Sequence, residues 1–346
     1  MKFTQITIKD IARELGISPS TVSRALKDHP DISKDTKKAV NDLAEKLNYQ
    51  PNIVALNLRT KKTNTIGVII PEIIHFFFST VIAGIEDVAY DAGYNVILTQ
   101  SNESLEREKT DLKALYNSRV DGMLISTSRE TNTFDHIESI IAKGVPIVFY
   151  DRNYPNQNTS KVIVDDYVGS KEAVMHLIEQ GCKRIAHIQS ASKLTIAQDR
   201  LRGYQEALDE HKLPFPDNYI QVCNTGSVED GFRAMNDLLA LPKRPDGVFA
   251  NNDVLAMGAM QAIKKAGLKI PQDIAVVGFS NWFYSSMIEP ALSSVDQPGF
   301  LMGQEAAKLL IRQIELGEKD ENAVIVPETK ILKTKLVVRE SSLRKP

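Results

Sequence analysis

Between residues 63 and 340 the chain repeats one pattern: a short, unbroken apolar run, then an amphipathic stretch, then another run. The runs are Ile66-Gly67-Val68-Ile69-Ile70, Asn95-Val96-Ile97-Leu98, Gly122-Met123-Leu124-Ile125 and Pro146-Ile147-Val148-Phe149. A second set follows: Arg184-Ile185-Ala186-His187-Ile188, Gly247-Val248-Phe249-Ala250 and Ile274-Ala275-Val276-Val277-Gly278-Phe279. A strand whose apolar residues are continuous must bury both faces, which parallel sheets achieve under two layers of helix. The runs are too many for one simple sheet. An α/β body of two lobes with parallel sheets is therefore expected, with a ligand cleft where the carboxyl ends of the strands face one another.

The first 50 residues hold no such run and read as helical. Thr7 precedes Ile8, Ile11, Ala12 and Leu15 at helical spacing, with Asp10 placed for a capping box and Gly16 for the turn that follows. Ser18 caps a second helix with Pro19 at its first position, and Ser33 caps a third carrying Ala39, Val40, Leu43, Ala44 and Leu47. Helix, glycine turn, helix and supporting helix is the helix-turn-helix arrangement. Its second helix would present Pro19, Ser20 and Arg24 to base edges. Arg24 offers a two-pronged contact to guanine worth roughly 1–3 kcal/mol of discrimination. Ser18, Thr21, Ser23, Ser33 and Thr36 suit phosphate oxygens, and Lys37 adds a basic contact. Residues 51–62 form a connector long enough for two turns of helix, with Tyr49 and Asn52 at its start as further phosphate contacts.

Charge divides the same way. Residues 1–62 carry 12 basic and 7 acidic side chains, the remainder 30 and 37. A basic head on an acidic body points to nucleic acid at one end only. Cys182 and Cys223 form no CxxC motif, the most apolar window (Ile66 to Ile85) is interrupted by Pro71, Glu72 and His75, and no apolar signal stretch follows Met1. A cytoplasmic protein without a membrane span is expected. Walker, GxSxG, HExxH and dinucleotide fingerprints are missing, and the six histidines lack metal-ligand spacing. Asp165-Asp166 suits a cap or loop better than catalysis. An enzyme, a metal and a cofactor are accordingly not expected.

Thr7-Ile8-Lys9-Asp10-Ile11-Ala12, Val22-Ser23-Arg24-Ala25-Leu26 and Tyr49-Gln50-Pro51-Asn52 closely resemble the head of the LacI/GalR family of bacterial regulators. The resemblance continues through Thr65-Ile66-Gly67-Val68-Ile69-Ile70-Pro71, Phe77-Phe78, Asp121-Gly122-Met123-Leu124, Asn252-Asp253, Pro271-Gln272-Asp273 and Pro290-Ala291-Leu292, and so spans the chain. It implies a helix-turn-helix domain (1–50), a hinge helix (51–62) and an effector-binding, dimerising body (63–346) like the type I periplasmic sugar-binding fold. The same architecture implies lobe 1 at about 63–160 and 291–322, and lobe 2 at about 161–290 and 323–340. The implied partners are double-stranded DNA with a near-palindromic operator, a second copy of the chain, and a sugar or sugar derivative. A repressor is implied, with an activator or co-repressor-dependent regulator as the alternative and a solute-binding protein as a remote one.

Position for position, the hinge would insert Leu58 into the minor groove with Ala55 beside it, although Leu56-Asn57 stand where the family often has Arg-Ser. The implied effector pocket comprises Phe77, Phe78, Asp151, Arg152, Arg200, Asn252 and Asp253. A ligand role is expected for one of Phe76, Phe77 and Phe78, not all three, and Asp253 is weighed as a helix cap. Many family members carry a sugar-binding aspartate where this chain has Ser280, with Trp282 close by. Arg152 and Arg200 with that acid missing predict tolerance of an anionic ligand, a sugar acid or sugar phosphate.

Overall fold

The structure is a computed structural model describing residues 6–50, 62–152, 158–190, 194–320 and 324–344. It divides into two compact units, Met1–Thr63 and Asn64–Pro346.

In the first unit, α1 (Ile8–Leu15), α2 (Pro19–Ala25) and α3 (Lys34–Lys46) are each set by their caps. The Asp10 carboxylate accepts from the Thr7 backbone N–H at 3.0 Å and from its hydroxyl at 2.7 Å. Gly16 ends α1 in the left-handed region at φ 63°, where a side chain would be strained. Ser18 accepts from Thr21 N at 3.1 Å and Ser33 from Thr36 N at 3.2 Å, caps worth about 1 kcal/mol each. Ile11, Ala12, Val22, Ala25, Val40, Leu43 and Ala44 form the buried core.

The second unit holds two six-stranded sheets. The first contains β1 (Thr65–Ile70), β2 (Asn95–Gln100), β3 (Gly122–Ile125), β4 (Ile147–Tyr150), β5 (Ser160–Val164) and β11 (Thr329–Leu332), in the order β11-β5-β4-β3-β1-β2. The second contains β6 (Ile185–Ser190), β7 (Ile220–Cys223), β8 (Gly247–Ala250), β9 (Ala275–Ser280), β10 (Ser293–Asp296) and β12 (Lys335–Val337), in the order β12-β10-β9-β8-β6-β7. All neighbours are parallel except the edge pair β10–β12.

Helices cover both faces. Lobe 1 carries α4 (Phe76–Asp91), α5 (Leu105–Asn117), α6 (Asp135–Ile141) and α11 (Gly299–Lys319). Lobe 2 carries α7 (Asp166–Glu179), α8 (Thr195–Glu210), α9 (Val228–Leu239) and α10 (Asp253–Lys265). Each face buries its own cluster, one centred on Val68, Leu124 and Val148 and the other on Ile69, Met123 and Phe149 in lobe 1. Helices α4 and α11 meet closely because Gly84 and Gly303 lack side chains. A Cβ at either would stand 2.0 Å from a carbonyl oxygen of the other helix.

The chain crosses between lobes after β5, after β10 and after β11. The borders set from sequence therefore move: β5 and β11 belong to lobe 1, and β10 to lobe 2. Lobe 1 takes β11 because it extends the sheet beyond β5 in parallel register, Thr329 opposite Lys161.

Candidate functional site

Two surfaces carry the residues singled out by the sequence. On the head, Ser18, Pro19, Ser20 and Arg24 are exposed along α2, and Thr21 and Ser23 are half-buried. Ser18 Oγ lies 2.9 Å from both Ser20 Oγ and Thr21 Oγ1, a hydroxyl cluster at a helix N-terminus, where phosphate oxygens are favoured. Lys37 is engaged within the head. Its ammonium sits 2.7 Å from Asp28 Oδ1 and donates to Asp28 O at 3.1 Å, closing the turn between α2 and α3. Thr7 spends its hydroxyl on Asp10, and Tyr49 packs against the head core. Asn52, Ala55 and Leu58 lie outside the described residues.

On the body, the carboxyl ends of β3, β4, β6, β8 and β9 and the start of α4 surround one cleft of about 120 Å³. Phe77, Phe78, Asp151, Arg152, Arg200, Asn252, Asp253, Ser280 and Trp282 all line it. They line it in different states. Phe78 is core, 3 % exposed. Phe77 is half-buried and meets Phe78 edge-on at 5.3 Å, and Phe76 faces Phe283 at 6.0 Å.

Arg200 is committed. It pairs with Asp166 through Nε at 2.7 Å and Nη2 at 2.6 Å, donates Nη1 to Asn251 O at 2.6 Å, and lies 3.7 Å over the Phe279 ring. Three of its five N–H donors are thus engaged inside lobe 2. Asp253 is likewise spent. Its carboxylate accepts from Trp282 N at 2.6 Å, Ser285 Oγ at 2.7 Å and Ser294 Oγ at 2.5 Å. Burial pushes it up to about 6 despite those three donors. The α10 cap is Asn252, which accepts from Leu255 N at 2.8 Å, and not Asp253. Asp165 caps α7 through Val168 N at 2.9 Å.

Ser280 and Asn281 turn through positive φ, 105° and 47°, strain that carries Trp282 into the cleft wall. The Ser280 hydroxyl donates to Gln297 Oε1 at 2.8 Å.

Lobe 1 presents the opposite condition. Asp151 is 5 % exposed, holds φ 57°, and has no hydrogen-bond donor of its own among the described residues. Its nearest charge is Arg152 Nε at 3.9 Å. Burial pushes its carboxyl up to about 7 against the pull of Arg152 and Arg200, with Asp166 and Glu103 adding to the rise. Arg152 donates Nη1 to Glu103 Oε2 at 2.7 Å and to Thr127 O at 3.3 Å, while its buried Nε has no acceptor among the described residues.

Arg129, Ser190, Thr225, Asn251 and Gln297 also line the cleft and escaped the sequence reading. Most sit at or just past the carboxyl end of a strand, the one signal that marks them. Glu103, just behind, accepts from Arg129 N at 2.7 Å and pairs with Arg129 Nη2 at 3.4 Å as well as with Arg152. Burial alone would raise Glu103, but the two guanidiniums hold it down at about 2.

Comparison with known proteins agrees with this two-part reading. Residues 7–52 match the model for bacterial regulatory proteins of the lacI family, and residues 174–342 match the periplasmic binding protein-like domain. The ribose operon repressor of Halalkalibacterium halodurans is 36% identical over 336 residues, 97% of each chain. The lac repressor dimer bound to operator and the anti-inducer ONPF superposes with a TM-score of 0.84 at 26% identity, over 99% of this chain and 100% of that one. The transcriptional regulator CelR–cellobiose complex gives 0.73 at 28% identity, over 97% and 100%.

Proposed function

The chain belongs to the LacI family of bacterial regulatory proteins, and on that premise we propose that it is a homodimeric repressor whose operator grip is set by one sugar-class molecule per cleft. The observation that carries this is the pairing, on one chain, of an exposed helix-turn-helix edge with a cleft in which several buried polar atoms lack partners among the described residues. Arg152 Nε, Asn251 Oδ1 and Gln297 Nε2 belong to cleft-lining residues and have no hydrogen bond among the described residues. Buried polar groups left unpaired in a folded chain are costly, and a hydroxylated ligand would satisfy them.

The relatives point the same way. One is a ribose operon repressor and another structure holds cellobiose. In this chain, Phe77 and Trp282 would stack against a sugar ring while the unpaired atoms read its hydroxyls. Two copies related by a twofold axis would place two α2 helices on two half-sites of a near-palindromic operator. Ser18, Ser20 and Thr21 would hold phosphates and Arg24 would read a base. Binding to DNA places the protein with the nucleoid in the cytoplasm.

Control follows from linkage. If the ligand favours one arrangement of the lobes and DNA favours another, each weakens the other by the same factor. The test is selection of bound duplexes from random DNA with the full chain, with and without a panel of monosaccharides. We expect one near-palindromic sequence to be enriched and one sugar class to change its retention. Equal retention of all sequences under every condition would end this reading.

A further inference from the structure

We propose that the effector is a single sugar ring bearing a carboxylate, received by Arg129 and Arg152 on the lobe 1 wall. The proposal rests on the ligand-controlled reading above and names the ligand class. Three observations carry it.

The first is a carboxylate shared by two bases. Glu103 pairs with two guanidiniums, Arg152 at 2.7 Å and Arg129 at 3.4 Å. Among the described residues no other carboxylate lies within hydrogen-bond reach of either guanidinium, and Asp151 and Glu72 act on Arg152 from farther off. The neighbouring acid, Asp151, stands 3.9 Å from Arg152 Nε, beyond hydrogen-bond reach. On the facing wall, Asp253 and the Arg200–Asp166 pair are closed within lobe 2.

The second is the unused donors. Arg152 Nε and Gln297 Nε2 are buried and have no acceptor among the described residues. Arg129 extends Nη1 across the cleft to Asn224 O at 2.8 Å, a neutral acceptor that an ionised one would displace favourably. A carboxylate fits the planar fork of a guanidinium better than a hydroxyl does. A phosphate would bring a second negative charge for which this wall has no match.

The third is size. About 120 Å³ is close to the ~150 Å³ of a cavity that holds one benzene ring. That volume suits one ring better than two.

Asp151 adds a second readout. The groups facing it are Arg152 beside it, Glu103 after β2, Asp166 on α7 and Arg200 on α8. Protonated, it donates to a ligand carboxylate; ionised, it repels one. Carboxylate binding therefore takes up a proton and weakens as pH rises through about 7.

The experiment is calorimetry on the full chain at pH 6, 7 and 8 with glucose, glucuronate, galactose, galacturonate and glucose 6-phosphate. Operator binding is followed in parallel. We expect a uronate to bind about tenfold or more tightly than its neutral parent, the size of one charged hydrogen bond, with affinity falling toward pH 8. Arg129→Gln should erase that preference while keeping ligand-free operator binding, which shows that the variant folds. A neutral parent binding as tightly as its uronate overturns the proposal. So does tighter binding of the phosphate, or no binding of either uronate. If the class is wrong but another small molecule still alters operator binding, the ligand-controlled reading stands alone.

Discussion

The two walls of the cleft use the same residue types in opposite ways. Lobe 2 contributes Arg200, Asp166 and Asp253, and each is bonded to partners within its own lobe. Lobe 1 contributes Asp151, Arg152 and Arg129, and among the described residues these are left short: a carboxylate without a hydrogen-bond donor, a guanidinium edge without an acceptor, and an arginine reaching across the gap. Saturated polar groups fix the shape of a wall, while unsaturated ones have free energy left for a ligand. The comparison assigns scaffold to lobe 2 and recognition to lobe 1, and substitutions can break it.

The largest expected effect is on the scaffold side. Arg200→Ala leaves Asp166 buried, 5 % exposed, with its partner gone. Breaking such a pair costs about 3–5 kcal/mol. Urea unfolding should show a loss of that size, with sugar affinity in the surviving folded protein changed far less. Little change in stability together with abolished ligand binding would transfer Arg200 to the recognition side and erase the contrast.

Phe77 and Phe78 make the same contrast within one helix turn. Phe78→Ala removes a ring that is 3 % exposed and packed among Val68, Ile70 and Val81. It should cost about 3 kcal/mol of stability. Phe77→Ala should cost less than half of that and instead weaken ligand binding, read by calorimetry on both variants. Reversed outcomes would show that the ring facing the ligand is the other one.

How much of this was legible in the sequence follows from what forces a pattern. Strands β1, β3, β4, β8 and β9 bury both faces, so their composition had to be continuous and apolar. Ser293-Ser294-Val295-Asp296 does not look like a strand. It is buried because Ser294 bonds Asp253 and Ser293 bonds Ser342 and the Arg339 backbone. Its hydroxyls are satisfied by residues up to 49 positions away, which no local pattern reveals. The exposed edge strand β11, with Ile331 60% exposed, was hidden for the opposite reason, since an edge strand lacks a second buried face. Missing β10 and β11 displaced the lobe borders. The cleft residues were recognisable as strand-end positions and family matches. Their states were not: Arg152 and Arg200 look alike in sequence, and what separates them is Asp166, 34 residues before Arg200.

Asp151 offers a finer test through pH. Its carboxyl is raised from 3.8 to about 7 on folding. A raised acid binds more protons folded than unfolded, so its contribution is intact below about 4 and is lost as pH climbs to 7. The gap of about three units implies a penalty on the order of 2 kcal/mol at pH 8 once local relaxation is allowed. Asp151→Asn removes that penalty, and asparagine tolerates the left-handed backbone at this position. The variant should be more stable than the parent at pH 8, with the gain shrinking as pH falls and vanishing below the unfolded value of 3.8. An equal gain at both ends of that range would mean that Asp151 is already paired, and that the lobe 1 wall is as saturated as lobe 2.

The smallest expected effect concerns the strand that joins the two walls. Ser280 ends β9 in lobe 2, and its hydroxyl donates to Gln297 Oε1 at 2.8 Å, where the chain passes into lobe 1. By its bonding Ser280 is committed, although its position lines the cleft. Ser280→Ala should therefore cost about 1 kcal/mol of stability, the net worth of one neutral hydrogen bond. Ligand affinity should change by less than about threefold, well under the loss of a bonded partner. The amide of Gln297 would still offer its unpaired Nε2 to the cleft. A drop in affinity of tenfold or more would show that the hydroxyl turns from Gln297 to the ligand on binding, and position 280 would then join the recognition side despite belonging to lobe 2.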